Sequence, residues 1–313
     1  MQPTDLRGRG PAERAGRPLP PRPVPHRRGL GFGLLAMAAA IATNSLLGPL
    51  GADLIRYPLP ESVLNQTIGL ELVSLAVMVP WAVVAGALTL RRHPAGPVLG
   101  FAPALYTGYM FVQYLVGPGY LYYPGALLLH LGLFILGGVV AVAAWSACDH
   151  AWLVAAAGPA ARRWAVVLLA LAGFVLFRYV PVVADALAGD PIPADAAGAP
   201  GMFWSILWLD LGIVVPATVA TAVGLLRRAA WAGTALYAVV GWFALVPVSV
   251  AAMAIVMLVN DDPHAATGDA VVLTVAAAGF AVVTWLLYRK LFAQLPPAAW
   301  RRRSRSPGRT GPA

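Results

Sequence analysis

The sequence predicts an all-α fold, a polytopic bundle of about eight transmembrane helices, and three observations predict it. Apolar residues make up 59% of the 313 and charged residues 11%. A soluble domain carries about 45–50% and about 25%, so too little polar surface is left here to face water. The apolar residues gather into runs of about 20 or more, the length that crosses about 30 Å of hydrocarbon at about 1.5 Å per residue. The arginines fall between those runs, in alternate connections.

Taken in order, residues 1–29 are rich in Pro, Gly and Arg and too poor in apolar groups to fold, so they read as a disordered cytoplasmic arm. The runs that follow are 30–50, 68–90, 97–117, 126–149, 165–187, 202–226, 234–259 and 271–292. Each reads as a helix because hydrocarbon offers an open strand edge no hydrogen-bond partner. A cleaved signal peptide is the alternative for the first run, which is longer than a usual apolar signal core and is followed by no small-x-small cleavage site. Residues 293–313 form a basic tail. Prolines inside five of the runs, Pro80, Pro103, Pro181, Pro216 and Pro247, each remove a backbone hydrogen bond and bend their helix. Small residues four apart, such as Ala82 with Gly86 and Gly137 with Ala141, suit close helix packing.

The charge pattern orients the chain. Of the 22 Lys and Arg residues, 20 lie in the two ends or in the connections after the second, fourth and sixth runs. The opposite connections hold Arg56 with Asp53, Glu61, Asp190, Asp195, Asp261, Asp262 and Asp269. By the positive-inside rule both termini are cytoplasmic. The net charge of +9 is therefore a record of topology, and nucleic acid is not an expected partner. The expected partners are the lipid bilayer, a small solute or ion, and anionic headgroups at the tails, at about 1 kcal/mol per arginine near the surface. The single cysteine, Cys148, excludes an intrachain disulfide.

Intramembrane polar residues mark where chemistry is possible, because a charged side chain at mid-bilayer costs about 2.5–3.5 kcal/mol on insertion scales. Counting helical rise from the outer ends puts Asp185 and Glu71 about 3–5 Å deep, Gln113 and His130 about 6 Å, Asn44 about 9 Å, and Arg178 and Asp210 about 12–14 Å. All fall in the outer half. Arg178 and Asp210, depth-matched on consecutive runs, are placed to pair, with Asp185 a second partner on the face of Arg178. Tyr106, Tyr109 and Gln113 form one polar stripe, and Glu71 with Ser74 a shorter one. Two readings stand: a structural ion pair that sets helix packing, or an outward-facing pocket for a small solute, ion or proton. Tyrosines at the outer end of the third run and its loop, Tyr114 to Tyr123, read as interfacial anchors.

No cofactor is expected. A haem held by two histidines needs a partner for His130, the one intramembrane histidine. Cys148, Asp149 and His150 are too close along a helix to converge on a metal. Asp261, Asp262, His264 and Asp269 match no EF-hand spacing and read as a solvated loop. There is no phosphate loop, paired-Cys motif, HExxH or GxSxG, and no clustered acid, base or metal constellation that would favour an enzyme.

Two patterns bear on organisation. Val79-Pro80, ten residues and Arg91-Arg92 recur as Val215-Pro216, ten residues and Arg227-Arg228. This is the mark of two groups of four helices in parallel, although Pro103 and Pro247 do not correspond. Separately, the segment from Arg91-Arg92-His93-Pro94-Ala95-Gly96-Pro97 to Tyr109-Met110-Phe111-Val112-Gln113-Tyr114, followed by Val116-Gly117-Pro118 and Tyr123-Pro124-Gly125, resembles a group of bacterial polytopic membrane proteins that carries no assigned activity. So does Asp210-Leu211-Gly212-Ile213-Val214-Val215-Pro216. The resemblance implies a bacterial inner-membrane protein and draws the eye to Gln113 and Asp210, while implying no substrate. The expectation is a small-solute or ion permease or binding protein. The alternative is a non-catalytic membrane subunit or sensor that recruits partners through its basic tails.

Overall fold

In the computed structural model the described residues are 27–117, 124–189, 192 and 198–293, and all their regular structure is helical. The helices are α1 (Arg27–Leu47), α2 (Glu61–Val73), α3 (Val79–Leu90), α4 (Ala95–Val116), α5 (Pro124–Ala147), α6 (His150–Ala157), α7 (Ala161–Ala188), α8 (Pro200–Leu209), α9 (Val215–Leu226), α10 (Ala232–Val259) and α11 (Thr267–Ala293). A π turn, Ser74–Met78, joins α2 to α3, and a second, Asp210–Val214, joins α8 to α9. Each joined pair is one span. The expected arm up to residue 26, the tail from residue 294, and Tyr120, Tyr122 and Tyr123 lie outside the described residues.

Among the described residues, seven helices are long and apolar enough to cross a membrane: α1, α2–α3, α5, α7, α8–α9, α10 and α11. The protein is an all-α polytopic bundle. α4 has the length, 22 residues, but Tyr106, Thr107, Tyr109, Gln113 and its two prolines dilute its apolar content. It is instead enclosed, with 16 of its residues buried. On the outside, Phe177, Leu187 and Val259 are 78%, 86% and 74% exposed, as lipid-facing groups should be. Most hydroxyls in the spans return to the carbonyl four residues back, as Thr67, Ser74, Thr89, Thr107, Thr218 and Ser249 do, the local answer to a solvent without hydrogen bonds.

The second span begins at Glu61, seven residues before the apolar run at 68. The polar residues Ser62 and Asn65 hid its first two turns, and both are buried against the end of α10. α1 begins at Arg27 instead of 30.

The two halves follow one plan. α1 packs on α3 as α7 packs on α9, α4 on α5 as α10 on α11, and α4 meets α10 in the middle. The second span of each half crosses to the other: α2 packs on α10, and α8 on α4. The arginine pairs end their helices identically. Arg92 and Arg228 adopt left-handed backbone, φ 59° and 54°. Each is followed by an amide that reaches back to close the helix, His93 N–H to Leu88 O at 2.8 Å and Ala229 N–H to Gly224 O at 2.9 Å. Among the described residues the arginine-bearing helix ends meet, Arg27 bonding Arg92 O, while the acidic connection after α10 packs on the start of α2 at the other end.

Candidate functional site

Asp210 opens the second π turn, ten residues and about 15 Å into its span. The π turn closes with Val215 N–H bonded to Asp210 O, so the wider ring ends just before Pro216, where a regular helix would lose a donor in any case. The carboxylate is buried. It accepts from Tyr109 OH at Oδ1, 2.8 Å, and from Tyr179 OH at Oδ2, 2.6 Å. No ion pair joins it to Arg178, and this corrects the expected pairing. Two phenols on α4 and α7 take both carboxylate oxygens, and the guanidinium lies over the ring of its neighbour Tyr179, 5.6 Å from the centroid. Arg178 is exposed and acts on Asp210 only through space.

Tyr179 is the residue the sequence reading missed. Its only signal was its place beside Arg178, and consecutive helical residues point about 100° apart.

Asp210, Tyr109, Tyr179 and Arg178 line a cavity of about 450 Å³ between the halves, walled by α2, α4, α7, α8, α10 and the start of α11. Gln113, Gln66, Thr67 and Ser249 add polar groups to a wall otherwise mostly of Val, Leu, Met, Ile, Phe and Ala. His264 and Asp269 also line it, at the acidic end. The volume falls within the range of about 300–1,000 Å³ typical of small-molecule sites, as does the mix of apolar lining and few polar groups. Asp185 does not join the site; it is exposed, one turn beyond Val182, which does.

The remaining candidates form a second cluster on the α1 side. His130 Nε2 bonds Asn44 Oδ1 at 2.8 Å, and the ring is enclosed by Phe111, Tyr114 and Tyr57. Tyr106 OH bonds Ser249 Oγ at 2.8 Å. Glu71 is also ten residues into its span, about 15 Å deep by helical rise instead of the 3–5 Å implied by a helix starting at 68. It lines a separate, much smaller cavity with Asn44, Ser74 and Tyr106. Glu71 and Asp210 are therefore not brought together.

At the acidic end Asp262 is not the solvated loop residue expected. Its carboxylate accepts from Ser62 Oγ at 2.8 Å, Asn65 Nδ2 at 2.9 Å and the His264 amide at 2.9 Å, and so latches the end of α10 to the start of α2. Burial raises this carboxyl, and the bonds from Asn65, the His264 amide and Ser62, together with the His264 ring 3.5 Å away, more than offset it. The group lies below the usual carboxylate range. Among the described residues no three His, Cys, Asp or Glu side chains converge as a metal site. At the arginine end Asp149 caps α6 through Trp152 N–H, and His150 bonds Thr234.

Comparison with protein-family models, with curated proteins and with solved structures returns no match.

Proposed function

We propose that this integral membrane protein is a small-solute permease, or a solute-binding protein of that type, whose site is the 450 Å³ cavity between its halves. The observation that carries the reading is the arrangement around Asp210. Two tyrosines from two different helices hold a carboxylate at mid-span, and a free guanidinium stands on the same cavity wall. A structural ion pair would consume both charges. Here both Asp210 and Arg178 face open volume, which suits a small organic solute with an apolar body and a charged or zwitterionic group. The π turn and proline beside the site weaken the backbone where a permease has to bend.

The same reading puts the arginine end in the cytoplasm of a bacterial cell, with the basic ends near anionic headgroups, and keeps the likeness to bacterial polytopic membrane proteins. A C148A background carrying a single cysteine at Val250 in the cavity or at Ala229 at the arginine end tests the orientation. An impermeant maleimide added outside should label V250C and spare A229C; the reverse pattern inverts the topology.

The site itself is tested by thermal stabilisation of the purified protein against panels of cationic, anionic and zwitterionic small solutes. At least one class should raise the melting temperature of the wild type and act less on D210N or R178A. Stabilisation that both variants retain in full would place binding elsewhere. A chain lacking residues 1–26 and 294–313 should respond like the wild type, whereas a subunit acting through its basic ends would not need the cavity at all.

A further inference from the structure

We propose that Glu71 is a proton-binding site within the membrane, separate from the Asp210 cavity and independent of what that cavity holds. Glu71 is 1% exposed. Its Oε2 accepts one long bond, 3.4 Å, from the Leu50 amide, and its Oε1, fully buried, has no hydrogen-bond partner. The carboxyl is pressed under the turn that follows α1: a Cβ built on Gly48 would stand 2.7 Å from Oε1 and 3.0 Å from Oε2. It faces a cavity of about 10 Å³ lined by Asn44, Ser45, Ser74 and Tyr106, room for about one water.

Among the described residues no arginine, lysine or second carboxylate lines this space. The titratable groups that face it are Tyr106 and Tyr114 of α4. Behind Asn44 stand His130 of α5 and Tyr57 of the connecting loop. α1 brings the neutral groups Ile41, Asn44 and Ser45, and from α10 Ser249 bonds Tyr106.

An ionised carboxylate in this place has no countercharge on the cavity wall and is shut away from bulk solvent, and a buried acid in that situation takes up a proton. The proton comes from bulk water and bonds to a carboxylate oxygen, giving the neutral acid; release returns the proton and restores the carboxylate. One of the cavity's groups also reaches the larger site. Tyr106 OH bonds Ser249 Oγ, and Ser249 lines the 450 Å³ cavity, so the two spaces share a hydroxyl wall.

Infrared difference spectra of the full chain in nanodiscs, taken across about pH 4 to about pH 9, test this directly. The wild type should show the C=O stretch of a protonated carboxylic acid, shifted in D₂O, that gives way to carboxylate bands as pH rises. E71Q, nearly isosteric, should lose that band, and D210N should keep it. G48A, whose Cβ intrudes on the carboxyl, should shift it. Retention of the full band in E71Q would overturn the proposal. So would its removal by added Na⁺ at constant pH, which would make the site one for a metal cation.

Discussion

Ser74 and Asp210 occupy the same place in the two halves of this protein. Each opens a five-residue π turn, and each carbonyl accepts the N–H of the valine that precedes a proline, Val79 before Pro80 and Val215 before Pro216. What differs is the side chain at the break. Ser74 satisfies itself, donating to Leu70 O at 3.0 Å. Asp210 requires donors from elsewhere and obtains them from α4 and α7. One architecture thus carries a quiet hydroxyl in one half and an externally held carboxyl in the other, and the large cavity opens at the carboxyl.

The bond between Tyr179 and Asp210 should be energetically coupled. A hydrogen bond to a charged group contributes about 1.5–3 kcal/mol, so Y179F should destabilise the protein by about that much, and Y109F by somewhat less, given its longer bond. In a cycle of Y179F and D210A, each removes what the other needs, and the coupling should reach about 1–2 kcal/mol. Unfolding in mixed micelles measures it. Strict additivity would mean that the phenol and the carboxylate do not meet.

Arg178 should behave in the opposite way. It is exposed and makes no ion pair among the described residues, so R178A should change stability by about 0.5 kcal/mol or less, and R178A with D210A should be additive to within about 0.5 kcal/mol. A coupling well above that would restore the ion pair that depth alone suggested. Loss of solute-induced stabilisation in R178A, with folding intact, is the expected signature of a binding role.

These two cases mark how far the sequence was legible. That the chain is an all-α polytopic bundle follows from the length and apolarity of its runs, because lipid leaves the chain few alternatives; α4, read as an eighth span, falls short of the others in apolar content. Asp210 was visible as a carboxylate in an apolar run. Its partners were not, since depth fixes position along the membrane normal and says nothing about which way a helix is turned. The π turns rotate everything before them relative to everything after, so no count by 3.6 carries a face across Ser74–Met78 or Asp210–Val214. The early start of α2 was hidden for a different reason. Ser62 and Asn65 look like loop residues until Asp262, about 200 positions later, supplies their partner.

Glycine placement gives a prediction of two signs. A Cβ on Gly69 would lie 2.6 Å from the backbone N and Cα of Met253, where α2 crosses to α10, and neither backbone can yield without moving a helix. G69A should cost about 1–3 kcal/mol. Gly173 on α7 has nothing within 4 Å of such a Cβ, and G173A should stabilise by up to about 1 kcal/mol through helix propensity. Melting temperatures that shift in the same direction for both would contradict the close approach of α2 to α10.

The Asp262 latch should make stability depend on acid. Its carboxyl lies below the ordinary value in the folded protein because Asn65, the His264 amide and Ser62 all donate to the ionised form. A group depressed on folding contributes its full stabilisation above the unfolded value, about 3.9 for aspartate. That contribution is lost as pH falls through the lower, folded value, because the unfolded chain takes up the proton first. The stability difference between wild type and D262N should therefore be fully present at about pH 5 and close progressively below about pH 4. N65A, which removes the donor to Oδ2, should flatten the same dependence while leaving the acid response of the rest of the chain unchanged. Heat unfolding of the three proteins at stepped pH measures it. A difference that persists undiminished to about pH 2 would show that the hydrogen bonds do not favour the carboxylate, and that the join between α10 and α2 rests on packing alone.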